Sequence, residues 1–197
     1  MEIKDVNALD DLGISDGINE VIATTEKEGV INAAPLGLIR NGDNLAIRLF
    51  AGSKTFENIL TTGWFVANVT HDSWIFAETA IVDAPEEAFE IRRGHPTLKD
   101  AESWAYFTCE PMRSDIIITE VKFVEGDLLR KDFRAFNRGS NLVVECAIAA
   151  TRYIALRTDS YYDEIHKMRR IINRCGGPRE KEAIDRLMDR LDEYVHI

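Results

Sequence analysis

The residues best suited to chemistry lie in one short stretch of this 197-residue sequence, where a strand-like run is followed directly by a helix-like run. Ser53, Lys54 and Thr55 begin the helix-like run and supply two hydroxyls and an ammonium group. The first turn of a helix also offers unpaired backbone N–H groups and the positive end of the helix dipole. Arg48 precedes this turn, and Asn58 lies three residues beyond Thr55 on the same helical face. Together these groups predict a site for an anion the size of a phosphate monoester.

Each of these residues also has an ordinary interpretation. Ser53 can be a simple helix cap, Lys54 a solvated surface charge and Arg48 an outward-facing strand charge. We favour the phosphate site because four groups able to bind an anion fall within eleven residues of one strand-to-helix junction.

The run NAAPLGLI, upstream of this junction, predicts a surface that a flat ring could approach. Pro35 and the small residues beside it keep the main chain accessible, and Gly37 removes a side chain. A planar cofactor needs such a slot, with backbone polar groups along its edge and apolar packing on its faces. The alternative is a glycine bulge on an ordinary strand.

The elements that position these residues are predicted to be mainly β. The runs EVIATTE, GVINAAPLGLIR, NLAIRLF and GWFVANVT are short, β-branched or aromatic, and are separated by turn residues. Residues 41–44 (NGDN) are the clearest hairpin signal, and connections this short require antiparallel neighbours. Ser53 as N-cap and Gly63 as C-terminal stop predict one short helix between two strands.

The rest of the chain divides into a weakly patterned stretch, a further strand region and a helical tail. Residues 84–105 predict one helical turn followed by a loop. Strand alternation resumes after residue 115, with a turn predicted at residues 125–127 (EGD). Three helical stretches then follow, the second starting with a capping box at Ser160 and Asp163 and the third with Pro178 in its first turn. We therefore predict a β domain over residues 1–135 and a helical subdomain over residues 136–197.

Charge and composition narrow the classes of partner. The formal net charge of -10 and the pI near 4.9 disfavour a nucleic-acid partner. The cysteines Cys109, Cys146 and Cys175 are widely spaced and the four histidines lack ligand spacing, so we expect reduced thiols and no metal site. No run of about 20 apolar residues and no signal-peptide pattern is present, which predicts a soluble, cytoplasmic protein that does not enter a membrane.

Two long segments carry a resemblance to a known fold family. The order VIATTEKEGVINAAPLGLI, then NLAIRLFAGSKTFENILTTGWFVANVTHD, resembles the split-barrel flavoproteins, which include flavin reductases and proteins like pyridoxamine-phosphate oxidase. The whole chain, with its helical tail, is similar to an archaeal family of uncharacterised proteins, domain of unknown function 447. The resemblance implies an antiparallel six-stranded split barrel with a C-terminal α-helical appendage, a homodimer, and one FMN per subunit near the dimer interface.

The resemblance also implies which residues bind the cofactor. The residues that match the phosphate-binding helix are Ser53, Lys54, Thr55 and Asn58, and Arg48 matches the strand before it. The ring-facing strand is matched by Pro35, Leu36 and Gly37. Phe50 and Ala51 match the border of the site. Arg138 and Asn141 could reach a phosphate or a partner subunit, although a capped loop is the commoner role for such residues. His71 and Asp72 could stand near a flavin edge.

The implied activity is that of an FMN-dependent oxidoreductase of unknown substrate, with a nicotinamide or another electron donor. No obvious catalytic motif is present, as expected where the flavin itself performs the chemistry. Two alternatives stay open: a non-catalytic flavin carrier or sensor, and a binder of another phosphorylated cofactor such as pyridoxal phosphate or a deazaflavin.

Overall fold

The computed structural model describes residues 2–3, 5–109, 116–130 and 137–195. The chain forms two compact units. One unit comprises Met1–Thr70 and Pro85–Asp132, and the other comprises His71–Ala84 and Phe133–Ile197.

The first unit is an antiparallel barrel of six strands, as predicted. The strands of this unit are β1 (Glu2–Ile3), β2 (Gly17–Lys27), β3 (Val30–Asn41), β4 (Asn44–Phe50), β5 (Trp64–Val69), β6 (Phe89–Arg92), β7 (His95–Leu98), β8 (Ser103–Cys109) and β9 (Ile116–Leu128). The barrel strands follow the order β9-β4-β3-β2-β5-β8, and pairing between β8 and β9 closes the barrel. β1 pairs with β9, and β6 pairs with β7 in a separate hairpin.

The predicted hairpin at residues 41–44 is confirmed. Asn41 pairs with Asn44, so β3 and β4 are joined by a two-residue turn. Gly42 has a φ of 59°, in the left-handed region that such turns require. Its N–H donates to Asp16 Oδ1 at 2.8 Å, which ties the turn to the start of β2.

Apolar side chains from alternate positions of the six barrel strands fill the interior, including Val21, Leu36, Ile47 and Phe107. A 3-10 helix (Val6–Leu12) adds further buried apolar side chains to the same core. Near the end of β3 the buried Arg40 donates from Nη1 to the Ile14 carbonyl at 2.5 Å, and the same atom lies 3.3 Å from Asp10 Oδ1. The carboxylate and carbonyl partners offset the cost of burying this charge.

The prediction for residues 84–105 is confirmed in part and otherwise wrong. A 3-10 turn does form at Glu86–Ala88, but the predicted loop contains the β6–β7 hairpin. The hairpin is fixed by tertiary hydrogen bonds, because the Thr24 hydroxyl donates to the Pro96 carbonyl at 2.5 Å and Leu98 N–H donates to Asn68 Oδ1 at 2.8 Å. Local residue preferences do not reveal such long-range bonds.

The turn predicted at residues 125–127 is also wrong, because β9 continues through these residues and stays paired with β8. Gly126 pairs with Ala105 of β8. A Cβ atom at Gly126 would lie 2.5 Å from the Trp104 carbonyl oxygen and 2.6 Å from Leu12 Cδ1. The glycine therefore serves a close approach inside the closed barrel and not a change of chain direction.

The second unit is helical, and the three predicted tail helices are confirmed. Its helices, numbered after α1 (Lys54–Thr62) of the barrel unit, are α2 (Ser73–Thr79), α3 (Arg138–Leu156), α4 (Asp159–Cys175) and α5 (Pro178–Val195). Pro178 begins α5 as expected, but the predicted capping box is wrong because α4 begins after Thr158, whose side chain makes no capping hydrogen bond.

The short helix α2 was not foreseen, and contacts with α5 hold it in the helical unit. Asp72 caps α2 by accepting from Trp74 N–H at 3.1 Å and pairs with Arg179 at 2.5 Å. Glu78 accepts two hydrogen bonds from Arg186, at 2.9 and 3.1 Å. These ion pairs between α2 and α5 explain why His71–Ala84 groups with the C-terminal helices. The prediction of a single domain boundary near residue 135 does not include this segment in the helical subdomain.

The described part of the chain contains no helix that is both long and apolar enough to cross a membrane. Within the same residues no cluster of three or more His, Cys, Asp or Glu side chains is arranged to hold a metal ion. The three cysteines are unpaired thiols, with Cys146 buried, Cys109 partly buried and Cys175 exposed. Burial raises the pKa of both Cys109 and Cys146 to about 12.

We expect Gly126→Ala to destabilise the barrel, because the added methyl group meets backbone atoms that cannot easily move. The free energy of unfolding should fall by about 1 to 3 kcal/mol, measured by urea denaturation. Val124→Ala is a control on the same strand at a side chain that is 39% exposed, and should cost less than about 1 kcal/mol. Equal stability of Gly126→Ala and the native protein would contradict the close-approach role.

We expect one fast-reacting thiol in the folded protein. Thiolates are the reactive form, so at pH 8 only Cys175 should react rapidly with dithiodipyridine, whereas all three cysteines should react in denaturant. Cys175→Ser should remove the fast phase. Two fast phases in the native protein would show that Cys109 or Cys146 is not protected by burial.

Candidate functional site

The helix α1 begins and ends as the sequence predicts. The Ser53 hydroxyl accepts from Phe56 N–H at 3.2 Å and caps the first turn. Gly63 ends the helix in the left-handed conformation, with a φ of 73°, and its N–H donates to the Ile59 carbonyl at 2.8 Å. Ile59 is buried in the barrel core, so α1 contributes to the packing of the same unit that presents its first turn to solvent.

Arg48 faces outward from β4. It is exposed, whereas its neighbours Ile47 and Leu49 are buried in the barrel interior, so the strand alternation turns Arg48 to the outer surface. Among the side chains that the structure describes, no carboxylate forms an ion pair with Arg48. Its charge is therefore available to an external anion.

The first turn of α1 presents an exposed hydroxyl and an exposed ammonium group, those of Ser53 and Lys54. One backbone N–H at this junction is already used, because Ser53 N–H donates to the Phe50 carbonyl at 3.2 Å. The N–H groups of Lys54 and Thr55 lie in the first turn, where no helical carbonyl can accept from them.

Thr55 and Asn58 are buried and belong to a polar network inside the barrel. The Thr55 hydroxyl accepts from Asn32 Nδ2 at 3.1 Å, and Asn58 Nδ2 donates to the Thr25 hydroxyl at 3.0 Å. The exposed fractions of the two α1 residues are only 6% and 8%. The structure thus separates the five predicted anion-binding residues into an exposed set at the surface and a buried pair that attaches α1 to β2 and β3.

The ring-facing segment of β3 is divided in the same way. Pro35 and Gly37 are half-buried on the outer face of the barrel, while Leu36 lies between them with its side chain in the interior. Only the main chain of Leu36 can therefore border a ligand on the outer face. β3 pairs with β2 along its whole length but with β4 only over residues 38–41, so over residues 30–37 one edge of β3 is not covered by β4.

Phe50 and Ala51 connect the two parts of the candidate site. Phe50 is half-buried and shares the outward direction of Arg48 two residues earlier, while Ala51 is exposed in the turn before α1. Gly52 follows with a φ of 83°, a conformation that a glycine adopts without strain.

A second polar cluster in the barrel unit serves to fasten the β6–β7 hairpin. His95 stacks on Tyr106 with 3.9 Å between ring centroids, and its Nε2 lies 3.4 Å from Glu125 Oε1. Arg93 lies 3.2 Å from the same carboxylate. Burial raises the pKa of Tyr106, and the nearby Cys109 and Glu125 raise it further. Because these charges are already paired, we assign this cluster a structural role.

The other residues considered from the sequence have structural contacts of their own. Asp72 is engaged as the cap of α2 and by Arg179, and His71 is exposed beside it. Asn137 caps α3 by accepting from Ser140 N–H at 3.1 Å, in agreement with the capped-loop interpretation of the segment that contains Arg138.

Sequence reasoning did not single out Thr25 or Asn32. A signal was available, because both are polar residues at inward positions of strands whose other inward side chains, such as Val21, Ala23 and Leu38, are apolar. A buried polar residue on an apolar face needs a hydrogen-bond partner, and here the partners lie on α1.

Comparison with known proteins gives relatives over nearly the whole chain. The uncharacterized protein MJ1453 of Methanocaldococcus jannaschii is 26% identical over 194 residues, covering 89% of this chain and 98% of the relative. Among solved structures, the FMN-bound protein MM1853 of Methanosarcina mazei is 32% identical with a TM-score of 0.84, covering 92% of this chain and 99% of that chain. The flavin reductase of the styrene monooxygenase system of Pseudomonas putida S12 is 19% identical with a TM-score of 0.47, covering 58% of this chain and 81% of that chain.

Two family models account for both units of the chain. The N-terminal domain of the proteins of unknown function DUF447 matches residues 19–130, and a second DUF447 model matches residues 137–189. The chain therefore belongs to the DUF447 family, as its sequence resemblance implied.

Proposed function

We propose that this protein binds FMN on the outer face of the barrel, with the phosphate at the first turn of α1, and acts as a flavin-dependent oxidoreductase. The observation that carries the proposal is the exposed cationic and hydroxyl set of Arg48, Ser53 and Lys54 at the junction of β4 and α1. Further support comes from the M. mazei relative, which is FMN-bound and 32% identical over most of the chain.

The donor set suits a phosphate in its charge and in its hydrogen-bonding groups. At neutral pH a phosphate monoester carries between one and two negative charges and several acceptor oxygens. Arg48 and Lys54 provide two positive charges, and the Ser53 hydroxyl and the N–H groups of Thr55 and Lys54 provide donors at the positive end of α1. In this proposal Thr55 and Asn58 hold the helix in place through the buried network, and Thr55 also offers its backbone N–H to the anion.

The outer face of β3 suits a planar ring. Gly37 has no side chain, and a Cβ atom there would lie 3.3 Å from both Ile18 Cγ2 and Glu20 Oε1, so a larger residue would crowd this part of β3. Pro35 provides an apolar surface on the same face, and the edge of β3 over residues 30–37 offers backbone groups that β4 does not cover. Phe50, half-buried, and Ala51, exposed, are proposed to border this surface from the β4 side.

In this proposal the residues of the chain bind and orient the cofactor and control access to it. FMN, when bound, supplies hydride and electron transfer. The sequence shows no recognisable catalytic acid or base motif, which agrees with a protein that binds the cofactor while the cofactor performs the chemistry. A nicotinamide is the electron donor that we propose to test first.

The proposal includes a homodimer and a cytoplasmic location. Ile18 is 70% exposed on the outer face of β2 next to Gly37, so apolar surface lies beside the proposed ring site. Covering it with a second copy would remove that surface from water. The unpaired thiols are in keeping with a reducing compartment.

The purified protein should be yellow and should release FMN on heating. Chromatography of the released chromophore against FMN, FAD and riboflavin identifies it, and anaerobic mixing with NADH or NADPH then follows flavin bleaching. Rapid bleaching supports a reductase. Tightly bound FMN that neither nucleotide reduces would favour the carrier or sensor, and release of a pyridoxal phosphate or a deazaflavin would overturn FMN as the cofactor.

Arg48→Ala should weaken FMN binding by roughly 10- to 150-fold, the loss expected for one charge-assisted contact worth about 1.5 to 3 kcal/mol. Riboflavin, which lacks the phosphate, should bind both proteins equally well. Fluorescence titration of each ligand with flavin-free protein measures the two dissociation constants.

A matched control separates this effect from a general change of charge. Arg170→Ala removes another exposed arginine, on α4 of the helical unit, and should leave both affinities unchanged. Arg48→Lys keeps the charge but loses the bidentate hydrogen-bonding geometry of the guanidinium group. Its affinity for FMN should therefore fall between those of the native protein and Arg48→Ala. Unchanged FMN binding in Arg48→Ala would remove Arg48 from the phosphate site.

A further inference from the structure

Two polar side chains inside the barrel, Thr25 and Asn32, stand out from their apolar surroundings. Thr25 is 0% exposed and Asn32 is 6% exposed. They face each other across the β2–β3 pairing, next to Ala23 and Ala34 of the following rung. Burying an amide and a hydroxyl costs free energy unless both are hydrogen-bonded, so the partners of these groups indicate what they are for.

Both side chains connect to the same helix. Asn32 Nδ2 donates to the Thr55 hydroxyl at 3.1 Å and lies 3.4 Å from the Thr25 hydroxyl. The Thr25 hydroxyl in turn accepts from Asn58 Nδ2 at 3.0 Å. Thr55 and Asn58 are three residues apart on one face of α1, so the two contacts fix both the position and the rotation of its first turns.

α1 depends on such contacts because it is short. It has nine residues, fewer than an isolated helix needs to be stable in water. Ile59 anchors the helix in the apolar core. The chain enters it through Gly52 in a left-handed conformation, which by itself does not fix the direction of the helix.

We infer that Asn32 and Thr25 are positioning residues for the cofactor phosphate. They hold the first turn of α1, through Thr55 and Asn58, in the orientation that directs its N–H groups and the Ser53 and Lys54 side chains to the anion. Neither residue touches the ligand, since both face the barrel interior while Arg48 and Gly37 lie on the outer surface. This inference rests on the proposed FMN site.

If Asn32 had only a structural role, different effects on ligand binding would be expected. If Asn32 only stabilised the barrel, its removal would lower the melting temperature but would weaken the binding of FMN and riboflavin alike. A positioning role changes the preference for the phosphorylated ligand, expressed as the ratio of the riboflavin and FMN dissociation constants.

The experiment compares three variants with the native protein. Asn32→Ala and the shape-conserving Thr25→Val each remove one side of the network, and each should lower the riboflavin-to-FMN ratio by about threefold to tenfold, the loss expected for one neutral hydrogen bond. Asn68→Ala is the matched control, because Asn68 is an equally buried barrel amide whose partners are on β2 and β7. Asn68→Ala should lower the melting temperature and leave the ratio unchanged.

A second measurement needs no flavin. Amide hydrogen exchange over α1 in the flavin-free protein should be several-fold faster in Asn32→Ala than in Asn68→Ala or the native protein. If Asn32 acts through Thr55, the double variant Asn32→Ala with Thr55→Ala should have the same riboflavin-to-FMN ratio as Thr55→Ala alone.

The outcomes distinguish the inference from the function on which it rests. A native protein that binds FMN and riboflavin equally overturns the phosphate site itself. A native preference for FMN that survives unchanged in both Asn32→Ala and Thr25→Val, with unchanged exchange of α1, overturns the positioning role and leaves the phosphate site standing. Should Asn32→Ala fail to fold, Thr25→Val alone decides between the two roles.

Discussion

Closure of the barrel by β9 is the constraint on which the rest of this unit depends. The first part of β9 pairs with β4, and the later part pairs with β8, so one long strand joins the two edges of the sheet. Closure requires the backbones to approach closely at Gly126, where no side chain would fit. Once the sheet is closed, strand alternation assigns every second residue to the interior, and this is what places Ile47 and Leu49 inside and Arg48 outside.

The same closure leaves an opening between β3 and β4, which pair only over a few residues next to their hairpin. α1 leaves β4 beyond this paired region and attaches to β2 and β3 through Ile59 and the buried polar network. The helix therefore has two functions that cannot be separated: one face contributes to the core, and its N-terminal turn forms the candidate anion site. A change in the packing of its buried face is therefore expected to alter the position of the anion-binding groups in its first turn.

Local signals were sufficient for the elements that are specified by adjacent residues. The hairpin at residues 41–44, the helix between Ser53 and Gly63 and the start of α5 at Pro178 have their turn, cap or stop residues in the sequence itself. The sequence also predicts the three tail helices, although the capping box predicted for α4 does not form. The elements that were missed or wrong depend on distant partners. The β6–β7 hairpin depends on Thr24 and Asn68, and the continuation of β9 past residue 125 depends on the close approach at Gly126.

The candidate site follows the same division. Arg48, Ser53 and Lys54 could be identified from the sequence because residue type, strand parity and helix capping are local properties, and the structure exposes all three. Sequence spacing placed Thr55 and Asn58 on the same helical face but could not show that this face is turned inward, where their side chains meet Asn32 and Thr25. A polar residue at an inward strand position is costly unless a partner from another element satisfies it, so such residues mark where a neighbouring element must be held at a fixed place. In this barrel the element held is the helix that begins at the proposed phosphate.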